Sequence, residues 1–452
     1  MISSAEDHPA VPGGRVPAGR VRAGRVRAGR PAMGARLPRR SPLRALTPLG
    51  VALCTLTLIS CMSAPAHSGA ARRSDGQPAD AGQSSAAGHS AAGAAASRSS
   101  TSSPAAASPD ALPTLTPAQM AGQRVIYSYT GLEPPATLLN WIRHGQVGGV
   151  IFFGGNISSR AQIASVIKEL NQANASPLNP MRGFPLLLMT DQEGGLVRRL
   201  PGQPLLSEKQ IGESANPAAA AKTAGTGAGK NLAGVGMNVN LAPVLDVFRK
   251  AGDFDDQFGR SYSTDPHVVS SLGADFITAQ QAAGVAATAK HFPGLGAATK
   301  SQNTDEAPVT LNVTLHALRT KDEFPYQAAI AAGVKLVMVS WAKYSALAPK
   351  TPAGLSSAIV NGELRQRLGF KGVTITDALE AGALRSFGTT RSRATLAAKA
   401  GMDLILCSVQ RPSQGQQARI ALANGLTAGT LSPSVFNAAL TRVVALRSSL
   451  GS

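Results

Sequence analysis

Residues 114–452 are predicted to fold as one (β/α)8 TIM-like barrel of the α/β class, a single domain, and three observations predict it. Eight short apolar runs follow one another along this segment. Most are continuous rather than alternating, as strands covered on both faces are. Stretches of helical character separate them, which is the element order that builds a parallel sheet.

The runs are 124–129, 148–153, 185–190, 237–245, 285–290, 336–341, 372–376 and 402–407. Helix-like stretches include 159–174, 266–283, 314–332 and 355–368, and 432–446 closes the pattern without room for a second domain. An open doubly wound sheet is the competing arrangement, and it is disfavoured because no glycine-rich nucleotide loop follows the first run. Polar residues fall at the run ends: Asp191 after the third, Asp246 after the fourth, Lys290-His291 at the fifth, Ser340-Trp341 at the sixth and Asp377 after the seventh. In a barrel these ends share one mouth, where catalysis takes place. Several such ends bearing acids and cations make a site; one alone does not.

Lys290-His291-Phe292-Pro293-Gly294 is the sharpest of these stretches. Pro293 and Gly294 stop the run and turn the chain. A desolvated ammonium at a buried strand end is costly unless an anionic or hydroxyl-rich partner meets it. The plainer alternative is a loop-edge lysine paired with a surface acid.

The net charge of +19 is unevenly spread. Residues 1–60 hold ten Arg against two acids, residues 61–113 three Arg against three Asp, and residues 114–452 the remaining 31 bases against 20 acids. No dense basic stripe is interleaved with aromatics, so nucleic acid is not an expected partner. An anionic wall polymer or a lipid headgroup surface suits the charge. Residues 1–61 read as a basic extension and lipoprotein signal peptide: Arg36, Arg39, Arg40 and Arg44 precede an apolar run, 49–59, too short to span a membrane. The run ends Leu58-Ile59-Ser60-Cys61, which resembles the bacterial lipobox and implies lipidation at Cys61; an ordinary secretory signal is the alternative. Residues 1–32 do not resemble a signal, which points to Met33 as the start. Residues 62–113 are Ala, Ser, Gly and Pro with few large apolar side chains, so they are expected to be a disordered tether. Cys407 alone remains in the folded segment, which excludes a disulfide there.

Four motifs occur in order, each at a run end: Asp191-Gln192-Glu193-Gly194-Gly195, Leu241-Ala242-Pro243-Val244-Leu245-Asp246-Val247, Lys290-His291-Phe292-Pro293-Gly294 and Ile375-Thr376-Asp377-Ala378-Leu379. Together they resemble glycoside hydrolase family 3, in its single-domain β-N-acetylhexosaminidase branch, over about residues 114–450. The resemblance implies that Asp377 is the nucleophile of a retaining hydrolysis. The alternative for Asp377 is a helix N-cap, since Asp377-Ala378-Leu379-Glu380 has the capping-box shape. The resemblance also implies that Asp191, Arg199, Arg260, Lys290 and His291 hold the sugar's hydroxyl and acetamido groups. Arg260 could instead pair with Asp255 or Asp256 at the surface, and Arg198 lies one residue from Arg199. Trp341 stands open between a sugar-stacking ring and a core aromatic.

The pattern also breaks. In the branch, a second His and an acid continue the fifth-run motif, and an Asp-x-His pair on the next loop supplies the acid/base. Here Leu295 and Ala297 replace the first two, and Ser301 and Asn303 stand where the pair is expected. After Lys300 the loop's ionisable side chains are Asp305 and Glu306, so either is the candidate acid/base, against a solvated turn as the alternative. Two functions follow. One is an active glycosidase removing β-linked N-acetylglucosamine from wall or chitin-type oligosaccharides; the other is a degenerate member that binds wall glycan fragments. A metal-dependent hydrolase on the same barrel needs His-x-His at the first run end, where Tyr127-Ser128-Tyr129-Thr130 sits. The expected protein is a monomer without cofactor or metal, anchored outside the bacterial cell membrane through Cys61.

Overall fold

The structure, a computed structural model, describes residues 113–451. The signal, Cys61 and nearly all of the tether fall outside them. Eight strands form the sheet: β1 Val125–Tyr127, β2 Gly149–Ile151, β3 Leu187–Thr190, β4 Val239–Asn240, β5 Ala286–Phe292, β6 Leu336–Val339, β7 Val373–Thr376 and β8 Ile405–Leu406. Each lies in a predicted run, although β5 continues two residues further, to Phe292. The order is β7-β6-β5-β4-β3-β2-β1-β8, with every pairing parallel. A bridge between Ile375 and Leu404 brings the two edges together, so the barrel is nearly closed.

The strand pleat sorts the side chains. Ile126, Ile151, Leu187, Met189, Val239, Leu336, Met338, Val373 and Leu406 fill the interior, joined by Val443 and Leu446 of the closing helix Pro433–Ser448. Their neighbours Val125, Tyr127, Val150, Leu188 and Val337 face the surrounding helices. Both faces are therefore covered, which is why the runs read as continuously apolar.

The helices match less closely. Arg160–Asn174 begins at Ser159, whose side chain caps Gln162, and Pro266–Ala282 is capped by Asp265. The expected helix 314–332 is instead a turn at Leu315–Ala317, a π-helical segment at Leu318–Asp322 and a helix at Phe324–Ala331. Pro325 tolerates only a first-turn position, so the chain restarts its helix there. The stretch 355–368 likewise becomes a 3₁₀ turn, Ala353–Leu355, and a π-helical segment, Ala358–Arg367. Among the described residues, no helix is long and apolar enough to cross a membrane.

The end of the barrel away from the motif residues is pinned by Asp403. Its carboxylate meets Arg365 at 2.6 Å, Arg442 at 2.8 Å and the Thr374 N–H at 2.8 Å. Hydrogen bonds to a buried charge contribute more than neutral ones. Asp403→Ala is expected to lower the unfolding free energy by about 2–3 kcal/mol. A lower urea midpoint at constant slope reads that loss; an unchanged midpoint contradicts it.

Candidate active site

The segment after β3 builds one wall. Gln192 accepts from the Leu200 N–H at 3.0 Å and donates to the Leu200 and Gln203 carbonyls at 2.8 and 2.9 Å, so it braces the hairpin from inside. Gly194 and Gly195 turn it at φ +123° and +54°, angles that L side chains rarely adopt. Asp191 and Arg199 are thereby brought together at the hairpin base, where the Arg199 N–H donates to the Asp191 carbonyl at 3.2 Å. Arg198 turns away to the Gly202 carbonyl, which favours Arg199 of the two arginines.

Lys290 is wholly buried at the carboxyl end of β5. Its Nζ lies 2.8 Å from Asp191 Oδ1 and 2.7 Å from Glu193 Oε1. A surface ion pair is thus ruled out for it. Burial alone lowers an ammonium's pKa, but Asp191 and Glu193 outweigh that and raise it. Burial likewise pushes Asp191 up, and Lys290 with Arg199 brings it below the usual carboxylate range. The pair is therefore ionised.

Arg260 is buried as well and is not a surface residue. Its Nε and Nη2 grip Glu193 at 2.8 and 2.9 Å, and Nη1 reaches Asp255 at 3.1 Å. The expected partner Asp255 is present, while Asp256 pairs with Lys209 at 2.8 Å. Sequence reasoning missed Glu193, which links the two cations. The signal lay in the count of charges: two buried cations require more than Asp191 to balance them.

His291 Nδ1–H donates to Asp246 Oδ2 at 2.7 Å. Burial, reinforced by Arg260, lowers its pKa to about 3, so it is neutral with Nδ1–H aimed at Asp246 and Nε2 left as an acceptor. Asp246 also accepts from the backbone N–H groups of His291 and Leu295. Burial raises its pKa to about 6. Protonating Asp246 removes the acceptor that orients His291. The KM of an active enzyme is therefore expected to rise as pH falls through about 6, and Asp246→Asn to flatten that rise; a KM flat in wild type contradicts it. Among the described residues, Asp246, Asp255 and His291 form a group whose donor atoms lie within 4.8 Å of one another, close enough for a metal. Asp246 already spends both oxygens on His291 and backbone N–H groups, and Asp255 spends one on Arg260. Asp255 Oδ2, buried and without a hydrogen-bond partner among the described residues, is the carboxylate oxygen of this group left unspent.

Asp377 follows β7 and is 5 % exposed, with Oδ1 accepting the Ala378 N–H at 2.7 Å. It is not a helix cap. The chain turns at 378–381, and a 3₁₀ helix begins only at Gly382. Glu380, the other half of the supposed capping box, instead accepts from Ser408 at 2.7 Å and Gln414 at 3.0 Å. β5, β6 and β7 are neighbouring parallel strands, so His291 and Asp377, both near carboxyl ends, lie at the same end of the barrel. Trp341 is wholly buried and donates Nε1–H to the Ala378 carbonyl at 2.8 Å. It is a core aromatic holding the Asp377 loop, not a sugar platform.

The loop after β5 carries the substitutions. Leu295 is buried, Ser301 exposed and Asn303 half-buried. Asp305 is half-buried, whereas Glu306 is exposed and accepts from Asn303 at 3.1 Å.

Acids and cations converging at the carboxyl end of a parallel barrel define an enzyme-type site. The glycosyl hydrolase family 3 N terminal domain matches residues 118–446, and the chain belongs to glycoside hydrolase family 3. A protein of Arthroderma benhamiae described as an uncharacterized secreted glycosyl hydrolase is 46% identical over 333 residues, 74% of this chain and 94% of that one. A β-hexosaminidase of Xylella fastidiosa (strain 9a5c) is 32% identical, over 62% of this chain and 82% of its own. Among solved structures, a family 3 β-N-acetylglucosaminidase from Paenibacillus superposes with TM-score 0.70 at 35% identity, covering 75% of this chain and 64% of that one. The present chain thus spans just under two thirds of that protein. A β-N-acetylhexosaminidase from Beutenbergia cavernae superposes with TM-score 0.67 at 32% identity, over 74% of this chain and 99% of that one.

Proposed function

We propose that the protein is a retaining glycosidase that removes β-linked N-acetylglucosamine from wall or chitin-type oligosaccharides, acting as a monomer without a cofactor. The observation that carries this is the carboxylate of Asp377 at the mouth that also holds Asp191. Asp191 spends Oδ1 on Lys290, while its buried Oδ2 has no hydrogen-bond partner among the described residues. An ionised, buried, half-used carboxylate suits a sugar hydroxyl. Arg199 and Nε2 of His291, which has no hydrogen-bond partner among the described residues, extend the same polar surface, with Lys290 and Arg260 fixing it through Asp191 and Glu193.

In the first step Asp377 attacks the anomeric carbon as the glycosidic C–O bond breaks, and Asp305 gives its proton to the departing oxygen. In the second, water attacks that carbon, its proton passes to Asp305, and the bond to Asp377 breaks. Asp305 is preferred to Glu306 because it is half-buried and adjoins the Asp377 loop. Asp305→Ala is expected to lower kcat/KM by roughly 10²–10⁴-fold on poor leaving groups, and on an activated aryl glycoside, whose departure needs no proton, azide is expected to restore turnover as a β-glycosyl azide. Absence of rescue contradicts the assignment.

A second reading, a degenerate glycan-binding member, is favoured by Ser301 and Asn303 in place of the acid/base pair. Turnover of a chromogenic β-N-acetylglucosaminide with the β anomer formed first supports hydrolysis. Wild-type turnover no faster than that of Asp377→Asn supports the second reading instead. The tether 62–113 and lipidated Cys61 would hold the barrel domain, 114–452, beside the wall on the outer face of the membrane. The description of the Arthroderma relative as secreted agrees with an extracytoplasmic site.

A further inference from the structure

The loop after β5 is fastened at both ends. On one side, the Phe254 N–H donates to the Ala298 carbonyl at 3.1 Å and Gln257 Nε2 to the Lys300 carbonyl at 3.0 Å, tying it to the loop after β4. On the other, the Gly382 N–H donates to the Asp305 carbonyl at 2.7 Å and the Ala383 N–H to the Thr304 carbonyl at 3.0 Å. These two donors open the 3₁₀ helix Gly382–Phe387, whose first N–H groups have no partner within their own helix. The helix start is therefore a socket for the backbone of residues 304–305. Its closeness depends on glycine: a Cβ at position 382 would stand 2.1 Å from the Glu306 carbonyl oxygen and 2.3 Å from its carbon, both backbone atoms unable to swing aside. The same segment continues directly from Asp377, which Trp341 steadies through Ala378.

We infer that Gly382 is a positioning residue, which docks the Asp305 loop onto the Asp377 loop and so sets the distance between proton donor and nucleophile. This rests on Asp305 being the acid. Displacing the loop by about an ångström costs protonation of the leaving group, roughly 10²-fold, without touching the sugar-binding residues.

The test compares leaving groups. A dinitrophenyl β-N-acetylglucosaminide departs without a proton, whereas a methyl β-N-acetylglucosaminide needs one. Gly382→Ala is expected to lower kcat/KM roughly 10²-fold on the methyl glycoside and to leave the dinitrophenyl substrate within a few-fold of wild type. The basic limb of its pH profile should weaken on the methyl glycoside. Asp305→Ala added to Gly382→Ala should cost less than it does in wild type. Gly362→Ala, where nothing lies within 4 Å of the added carbon, is the control and should match wild type. Equal losses on both substrates, or no loss on either, overturn the inference. A leaving-group dependence in Asp305→Ala that Gly382→Ala lacks overturns it alone, whereas an Asp305→Ala without that dependence overturns the acid assignment and this inference with it. If Gly382→Ala does not fold, Ala383→Pro carries the same test. It deletes the N–H that Thr304 accepts while keeping a φ allowed in a helical first turn.

Discussion

Asp377→Asn is expected to lower kcat on a β-N-acetylglucosaminide by about 10⁴-fold or more while leaving the fold intact. The amide keeps the shape of the side chain and can still accept the Ala378 N–H, which lies 2.7 Å from Oδ1. What it loses is the charge that attacks the anomeric carbon. The cost to stability should be small, because no cation pairs with this carboxylate among the described ion pairs. A variant with an unchanged thermal midpoint and a collapsed kcat is the expected result. Equal activity would move the nucleophile elsewhere.

Lys290→Ala is expected to fail differently. The ammonium balances Asp191 and Glu193 at 2.8 and 2.7 Å in a fully buried setting. Removing one member of a buried pair leaves an uncompensated charge, at about 3–5 kcal/mol. Arg260 still holds Glu193, so the loss should concentrate on Asp191. Thermal unfolding should show a drop of roughly 4–7 °C, together with a rise in KM as Asp191 loses its fixed orientation. If Lys290→Ala unfolds at the wild-type midpoint, the cluster does not hold the mouth together as described.

The sheet was legible because its strands are buried on both faces, which writes each as a continuous apolar run. The irregular helices were not. Leu318–Asp322 widens into a π-helix under constraints that come from packing, with Asp322 turned inward to Arg249 at 2.6 Å. Helix Pro217–Ala233, rich in Ala and Gly, buries mainly small residues and so carries no large apolar stripe to mark it. It packs by close approach instead: a Cβ on Gly225 would lie 2.3 Å from the Phe276 carbonyl of Pro266–Ala282.

At the site, position was legible and partnership was not. Motifs at run ends placed Asp191, Lys290, His291 and Asp377 at one mouth, because barrel geometry fixes where strand ends go. Whether Lys290 would meet substrate or protein depended on Glu193, two residues beyond Asp191 and on the same wall only because the hairpin folds back. Arg260 shows the same limit. Its spacing marked the right loop, but the buried partner it grips, Glu193, was not legible. Trp341 could not be settled by sequence, since stacking and core roles ask for the same residue; the hydrogen bond to Ala378 decides it.

The covalent intermediate is the central claim, and peptide mapping after reaction with an activated 5-fluoro N-acetylglucosaminyl fluoride tests it most directly. The fluorine slows both steps, while the good leaving group restores the first, so the glycosyl-enzyme accumulates. One sugar per protein on the peptide containing Asp377, absent from Asp377→Asn, is the predicted result. A label on another carboxylate, or steady turnover with no label, would contradict the account.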